Sequence, residues 1–163
     1  MRKQIIEQII EPLSSPAAST TGGLDIGAIA TVLVTSELSD HPVENVFDGR
    51  RGPGSSRWIA EADGEQTFIL AFDAPQNIRT VELEVEETAV SRTQELQLAV
   101  SVDGGKTYRE LLRQEFNFSP DSSTFEREEW TINIKGVTHL RFQIKPDKGG
   151  RSGRASISSL VLR

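Results

Sequence analysis

The chain has 163 residues, with 18 Lys and Arg against 24 Asp and Glu, a net charge of −6 and no cysteine. That length fits one domain with a full core, and the missing cysteine excludes disulfides, thiolate metal sites and a cysteine nucleophile. The acidic balance argues against a general polyanion binder. No apolar run approaches the length of a membrane span. Glu7, Gln8 and Glu11 interrupt any apolar signal region behind Arg2 and Lys3, so the chain reads as unsecreted and cytoplasmic.

Ile5, Ile6, Ile9, Ile10 and Leu13 recur at helical spacing. They predict a short amphipathic helix over residues 3–13, then a Ser/Thr/Gly-rich linker to residue 24. Such a helix buries its stripe on its own domain or against a second copy, which makes self-association one of the expected partnerships. A membrane anchor fits less well, because the polar face carries Glu.

From residue 25 the period changes to two. Phe68, Leu70 and Phe72 alternate with smaller or polar residues, as do Val81, Leu83 and Val85. Leu96, Leu98, Val100 and Val102 follow, then Trp130, Ile132 and Ile134, then Leu140, Phe142 and Ile144. Each run predicts a strand with one buried and one wet face. Glu82, Glu84 and Glu86 fall on the wet face of theirs. Phe116 and Phe118 share an inward face by the same rule. The separators are turn chemistry: Asp73 to Pro75, Asp103 to Gly105, Lys135-Gly136 and Pro146 to Gly150. Short strands without intervening helices predict an all-β, antiparallel sandwich or barrel.

The positive charge is concentrated in two glycine-rich stretches. Residues 49–58 carry Arg50, Arg51 and Arg57; residues 145–154 carry Lys145, Lys148, Arg151 and Arg154 against Asp147. Guanidinium forks suit ligands bearing phosphate, carboxylate or many hydroxyls. The other reading of the first stretch is a solvated loop that offsets the three glutamates. Trp58 either stacks on a ring of the ligand or anchors the loop in the core. His41 is a hydrogen-bonding candidate; His41 and His139 lie too far apart for a paired metal motif. The chain contains no GxSxG, P-loop or HExxH pattern and no evident acid/base pair, so an enzyme is not expected.

Residues 35–49, TSELSDHPVENVFDG, followed by Trp58, resemble the opening of discoidin domains, also called F5/8 type C domains. These belong to the galactose-binding-like jelly rolls, which include many carbohydrate-binding modules. Residues 101–111, SVDGGKTYREL, resemble the family's central hairpin, and residues 155–162 stand where the family has its closing strand. The resemblance implies a jelly-roll β-sandwich of about eight strands over residues 25–163. It also implies a non-catalytic binding module. Family ligands include sugars, lipid head groups, proteins and nucleic acid, among which fold does not choose. Many relatives hold a structural calcium near the aspartate-glycine turn, completed by an acidic residue of the closing strand. Asp48 and Gly49 match the first part, but Ser156-Ile-Ser-Ser-Leu160 offers no carboxylate. Calcium wants six or more oxygens, several of them charged, so no tight site and no other cofactor is expected. Asp48 is then a turn residue.

The expected function is binding of a carbohydrate or related small ligand by the end loops. His41, Arg50, Arg51, Arg57, Trp58, Lys148, Arg151 and Arg154 are its candidate residues. The alternative is an intracellular module that binds protein or nucleic acid through the basic loops.

Overall fold

The computed structural model describes residues 1–6, 23–151 and 153–163. Its strands are β1 (Arg2–Ile5), β2 (Ala30–Val34), β3 (Trp58–Ile59), β4 (Gln66–Glu86), β5 (Arg92–Ser101), β6 (Arg109–Phe118), β7 (Phe125–Lys145), β8 (Ser156–Ile157) and β9 (Ser159–Leu162). A single helical turn, Ile26–Ile29, and a 3₁₀ turn, Val43–Phe47, are the helical elements among the described residues.

The architecture follows from two long strands. β4 and β7 each run 21 residues and pair antiparallel from Gln66↔Ile144 to Glu86↔Phe125. Their register shifts between Ala71 and Thr80. Pro75 lies in this stretch and has no N–H to give to a ladder, and opposite it Gly136 takes φ 72°. Both strands bend here, so one hydrogen-bonded sheet folds back on itself as two layers. The larger layer runs β1-β2-β4-β7-β5-β6; the other halves of β4 and β7 form the smaller layer with β9. Asp73 to Pro75 and Lys135-Gly136, expected as breaks between strands, are thus bends inside continuous ones.

The inward positions of both layers make the core. Phe68, Leu70, Leu140, Phe142 and Ile144 come from one layer, Val81, Leu83, Val85, Leu160 and Leu162 from the other. Phe116 and Phe118 are buried together on β6, as their spacing predicts. Trp58 packs edge-on against Phe68 with centroids 5.5 Å apart, and Phe68 packs edge-on against Phe142 at 6.1 Å. Edge-to-face pairs of this kind add about 0.5–1.5 kcal/mol each beyond their burial.

The N-terminal helix is corrected at Arg2–Ile5, which are a strand in parallel register with β2, Arg2↔Thr31 to Ile5↔Val34. A short isolated helix is marginal in water. The open edge of β2 offers these residues a full ladder. It also offers partners: Lys3 Nζ reaches Glu37 and Glu44 at 2.7 Å each, Arg2 pairs with Asp73, and Met1 enters the core. Ile6, expected buried, is exposed; Ile9, Ile10, Leu13 and the linker up to residue 22 lie outside the described residues, and Leu24 at its end donates its N–H to the Leu162 carbonyl at 2.8 Å.

Candidate functional site

The bend in β4 and β7 sorts the loops by end. Gln66, Glu86, Phe125 and Ile144 all stand at one end of the sandwich, because each long strand leaves that end and returns to it in antiparallel register. Arg92 joins them, since β5 pairs with β7 through Glu95↔Lys145. The loops at residues 60–65, 87–91, 119–124 and 145–155 therefore share one end. Residues 102–108 and the two bends occupy the other.

At the first end a cleft of ≈ 460 Å³ opens between residues 63–65 and 145–153. One wall is shaped by Gln66, which is buried and donates through Nε2 to the carbonyls of Ala62, Asp63 and Gly64 at 3.3–3.4 Å. Its Oε1 accepts from the hydroxyls of Thr35 and Ser36. The other wall is built on the start of β5. Arg92 is 1 % exposed. It donates to Glu87 (2.7 Å), Gln94 Oε1 and the Pro146 carbonyl (2.8 Å each) and Ser156 Oγ (2.9 Å). Burial pushes its pKa down, while Glu87 and Asp147 act to raise it. Gln94 completes the frame by bonding both the N–H and the carbonyl of Ser156. A Cβ at Gly153 would stand 3.2 Å from Arg92 Cδ, so a side chain there would press on the stem of the buried arginine.

Asp147 closes the loop on itself. Its oxygens accept from the N–H of Thr93 and of Arg151, 2.9 Å each, and from Arg151 Nε at 3.1 Å. These bonds hold the carboxyl at about 2, below its ordinary value. Arg151 is 65 % exposed on its side chain, and its remaining N–H groups have no partner among the described residues. Lys145, Asp63 and Glu65 line the cleft with no ion pair or side-chain hydrogen bond among the described residues. The cleft thus presents ammonium and guanidinium donors beside two carboxylate acceptors.

Of the residues expected from sequence, Arg151 reaches this cleft. Lys148 turns to Glu115, which raises its pKa, and its backbone N–H bonds the Thr93 carbonyl at 2.7 Å. Arg154 Nη1 donates to the Ala60 carbonyl at 3.3 Å, tying the bases of the two walls together. The other basic stretch behaves differently. Glu82, Glu84 and Glu86, expected on a wet face, are buried, because residues 49–57 lie across them. Arg51 pairs with Glu82 and Glu84, and Arg57 with Glu86. Among the described residues no bond joins the basic side chains of one stretch to those of the other. Arg50 is exposed.

Trp58 is fully buried and donates Nε1–H to the Ser36 carbonyl at 2.9 Å, so it anchors the loop and offers no face to a ligand. His41 is half-buried, with its backbone bonded to Leu38 and Ile59. Asp48 accepts from the Arg50 N–H at 2.9 Å and from the Ser56 hydroxyl, an Asx-type turn. Both its oxygens are in use, and the closing strand brings only Ser158 and Ser159. No cluster of three or more metal-binding side chains stands among the described residues. The donor set does not fit the calcium that the resemblance implies.

Sequence reasoning passed over Asp63, Glu65 and Arg92. The first two stand in an acidic turn, Glu61-Ala-Asp-Gly-Glu65, between two apolar runs, which is a usable loop signal. Arg92 gave none; a lone arginine at a strand start reads as solvated.

The opposite end is organised around Asp103. It accepts from the Thr107 hydroxyl (2.5 Å), the Thr107 N–H (3.0 Å) and Ser101 Oγ (2.7 Å). These hold its carboxyl well below the usual range. Arg141 lies 4.2 Å over the Tyr108 ring, and His139 packs edge-on to it. The groups at this end are turned onto one another.

No family model matches the chain, and no curated protein matches it in sequence. Solved structures do. The chain is similar to CBM32-3 from a family 31 glycoside hydrolase of Clostridium perfringens, at 18% identity over 91% of this chain and 98% of that one, with a TM-score of 0.64. It is similar to CpGH89CBM32-5 of Clostridium perfringens, solved in complex with GalNAc-β-1,3-galactose: 20% identity, 86% and 99% coverage, TM-score 0.59. It is also similar to the CBM32 of AlyQ, solved with 4,5-unsaturated mannuronic acid: 17% identity, 83% and 95% coverage, TM-score 0.58. The fold of this chain is the jelly-roll β-sandwich that these carbohydrate-binding modules share, as the resemblance of residues 35–58 to discoidin domains implies.

Proposed function

We propose that the chain is a non-catalytic module that binds a carbohydrate or related polyhydroxyl ligand in the cleft between residues 63–65 and 145–153. The observation that carries this reading is a set of donors and acceptors on a framed scaffold: Lys145, Asp63 and Glu65, which have no side-chain partner among the described residues, beside the outward N–H groups of Arg151. Sugar hydroxyls both donate and accept, and charged groups make the stronger of such bonds. The neighbours that carry GalNAc-β-1,3-galactose and 4,5-unsaturated mannuronic acid support the ligand class. Arg51 and Arg57 are spent on glutamates, which weighs against the nucleic-acid alternative.

Calorimetric titration against galactose, GalNAc and mannuronate oligosaccharides tests the proposal, with duplex DNA at two salt concentrations alongside. Binding of a sugar that Lys145→Ala or Arg151→Ala weakens at unchanged melting temperature supports it. Salt-dependent DNA binding with no sugar bound would replace it with the alternative.

A further inference from the structure

β4 alternates as a half-wet strand should, yet its outer face is dry. Val81, Leu83 and Val85 point into the core, while Glu82, Glu84 and Glu86 on the other face are 6 %, 0 % and 8 % exposed. A buried carboxylate must be paired and hydrogen-bonded to persist. Residues 49–57 supply hydrogen bonds to Glu84 and Glu86 and an ion-pair contact to Glu82. The Gly52 N–H donates to Glu84 at 2.8 Å, and the Gly54 N–H to Glu86 at 2.9 Å. Both glycines take positive φ, 84° and 83°, which lets their amides point down at the strand. Arg51 pairs with Glu82 and, through Nε at 3.4 Å, with Glu84. Arg57 Nη1 stands 3.0 Å from Glu86. From the sides, Arg127 reaches Glu84 at 2.8 Å and Arg163 reaches Glu82 at 3.3 Å.

We infer that the loop at residues 49–57 is fastened by an internal clamp, Arg51 and Arg57 on the buried glutamates of β4, and that this clamp does the structural work for which the resemblance invokes calcium. The charge balance forbids both at once. Arg51, Arg57, Arg127 and Arg163 already face Glu82, Glu84 and Glu86, and a divalent cation added there meets a cluster without anionic excess. Asp48 is engaged within its own turn by the Arg50 N–H and the Ser56 hydroxyl, and no second carboxylate of the closing strand joins it. The loop geometry therefore belongs to the chain itself and is independent of metal supply.

Amide exchange of Gly52 and Gly54, followed by NMR on the whole chain, reads the clamp directly. Both amides should be protected, with the same rates in a chelator and in millimolar calcium. The double variant R51Q/R57Q should raise their exchange by about tenfold or more, the equivalent of one lost charge-assisted bond, while β5 amides keep their protection. Lysine at both positions should restore part of it. If the double variant fails to fold, R57Q alone decides through Gly54. Chelator-sensitive exchange, calcium-dependent protection, or rates unchanged by R51Q/R57Q would each overturn the inference.

Discussion

The two basic loops are alike in sequence and opposite in circumstance. Each carries a net +3, and both are rich in glycine. Residues 49–57 lie on three buried glutamates and put Arg51 and Arg57 into them. Residues 145–154 stand over a cleft, hold themselves up by Asp147 and Arg92, and leave Lys145 and the outer edge of Arg151 without a partner among the described residues. The charge of a loop does not assign its role. What lies under it does: an acidic strand takes up Arg51 and Arg57 of the first, while the second is framed by Arg92, Gln94 and Asp147 and keeps Lys145 and the outer edge of Arg151 turned to the cleft.

The sharpest way to break the comparison is to reverse the charge beneath the first loop. Glu84→Lys places a cation at a fully buried position beside Arg51 and Arg127. It should cost about 3–5 kcal/mol in urea unfolding, or prevent folding. Glu115→Lys, the same reversal under Lys148 at the surface, should cost below about 1 kcal/mol. Equal costs would mean that Glu84 is solvated after all.

Arg92→Met attacks the second loop from below. It strips the Pro146 carbonyl, Ser156 and Glu87 of their donor while keeping most of the apolar stem. A loss of about 2–4 kcal/mol is expected, together with faster exchange of the Lys148 and Arg151 amides. If those amides keep their protection, Asp147 alone holds the loop.

These cases also show how far the residues could be read in advance. The alternation in β4, β5 and β7 placed most of the core, because period-two burial is a local signal; Val102, expected inward, stands 58 % exposed because β5 ends at Ser101 and the turn carries it out. The N-terminal isoleucines did not place their strand, since the edge of β2 that recruits Arg2–Ile5 lies about thirty residues away. Glu82, Glu84 and Glu86 were misjudged for the same reason. Their positions on the strand are local, but the lid that buries them comes from another part of the chain. In the cleft, Arg151 was legible as a cation in a glycine loop. Asp63, Glu65 and Arg92 gain their roles only from the strand register that brings them to one end.

A crossed pair of variants separates binding from stability. Arg57→Ala removes a cation from Glu86 and should lower stability by about 1 kcal/mol; Arg57 is not among the residues that line the cleft. Arg151→Ala removes a largely exposed side chain, should change stability by about 0.5 kcal/mol or less, and should weaken sugar binding. Melting temperature and calorimetric titration on both proteins give four numbers. The comparison stands if the large changes fall on the diagonal, stability for Arg57 and affinity for Arg151. It fails if Arg57→Ala weakens binding as much as Arg151→Ala does.

The smallest effect is a pH limb that only the second loop should show. Asp147 is held at about 2, below its ordinary 3.8, first by the Thr93 N–H and then by the N–H and guanidinium of Arg151. A folded-state pKa below the unfolded one means that folding favours the anion. Its contribution is complete above the ordinary value and fades as pH falls from about 4 towards about 2. Asp147→Asn lacks this titration and also loses the anion's pull on Arg151. The wild type should therefore exceed Asp147→Asn in melting temperature by a constant margin above pH 5, and the margin should shrink steadily below pH 4. Exchange of the Arg151 amide should rise in the same window in the wild type alone. A margin that stays constant down to pH 2.5 would mean that the Asp147 carboxylate does not hold the loop, and the frame would then rest on Arg92 and Gln94.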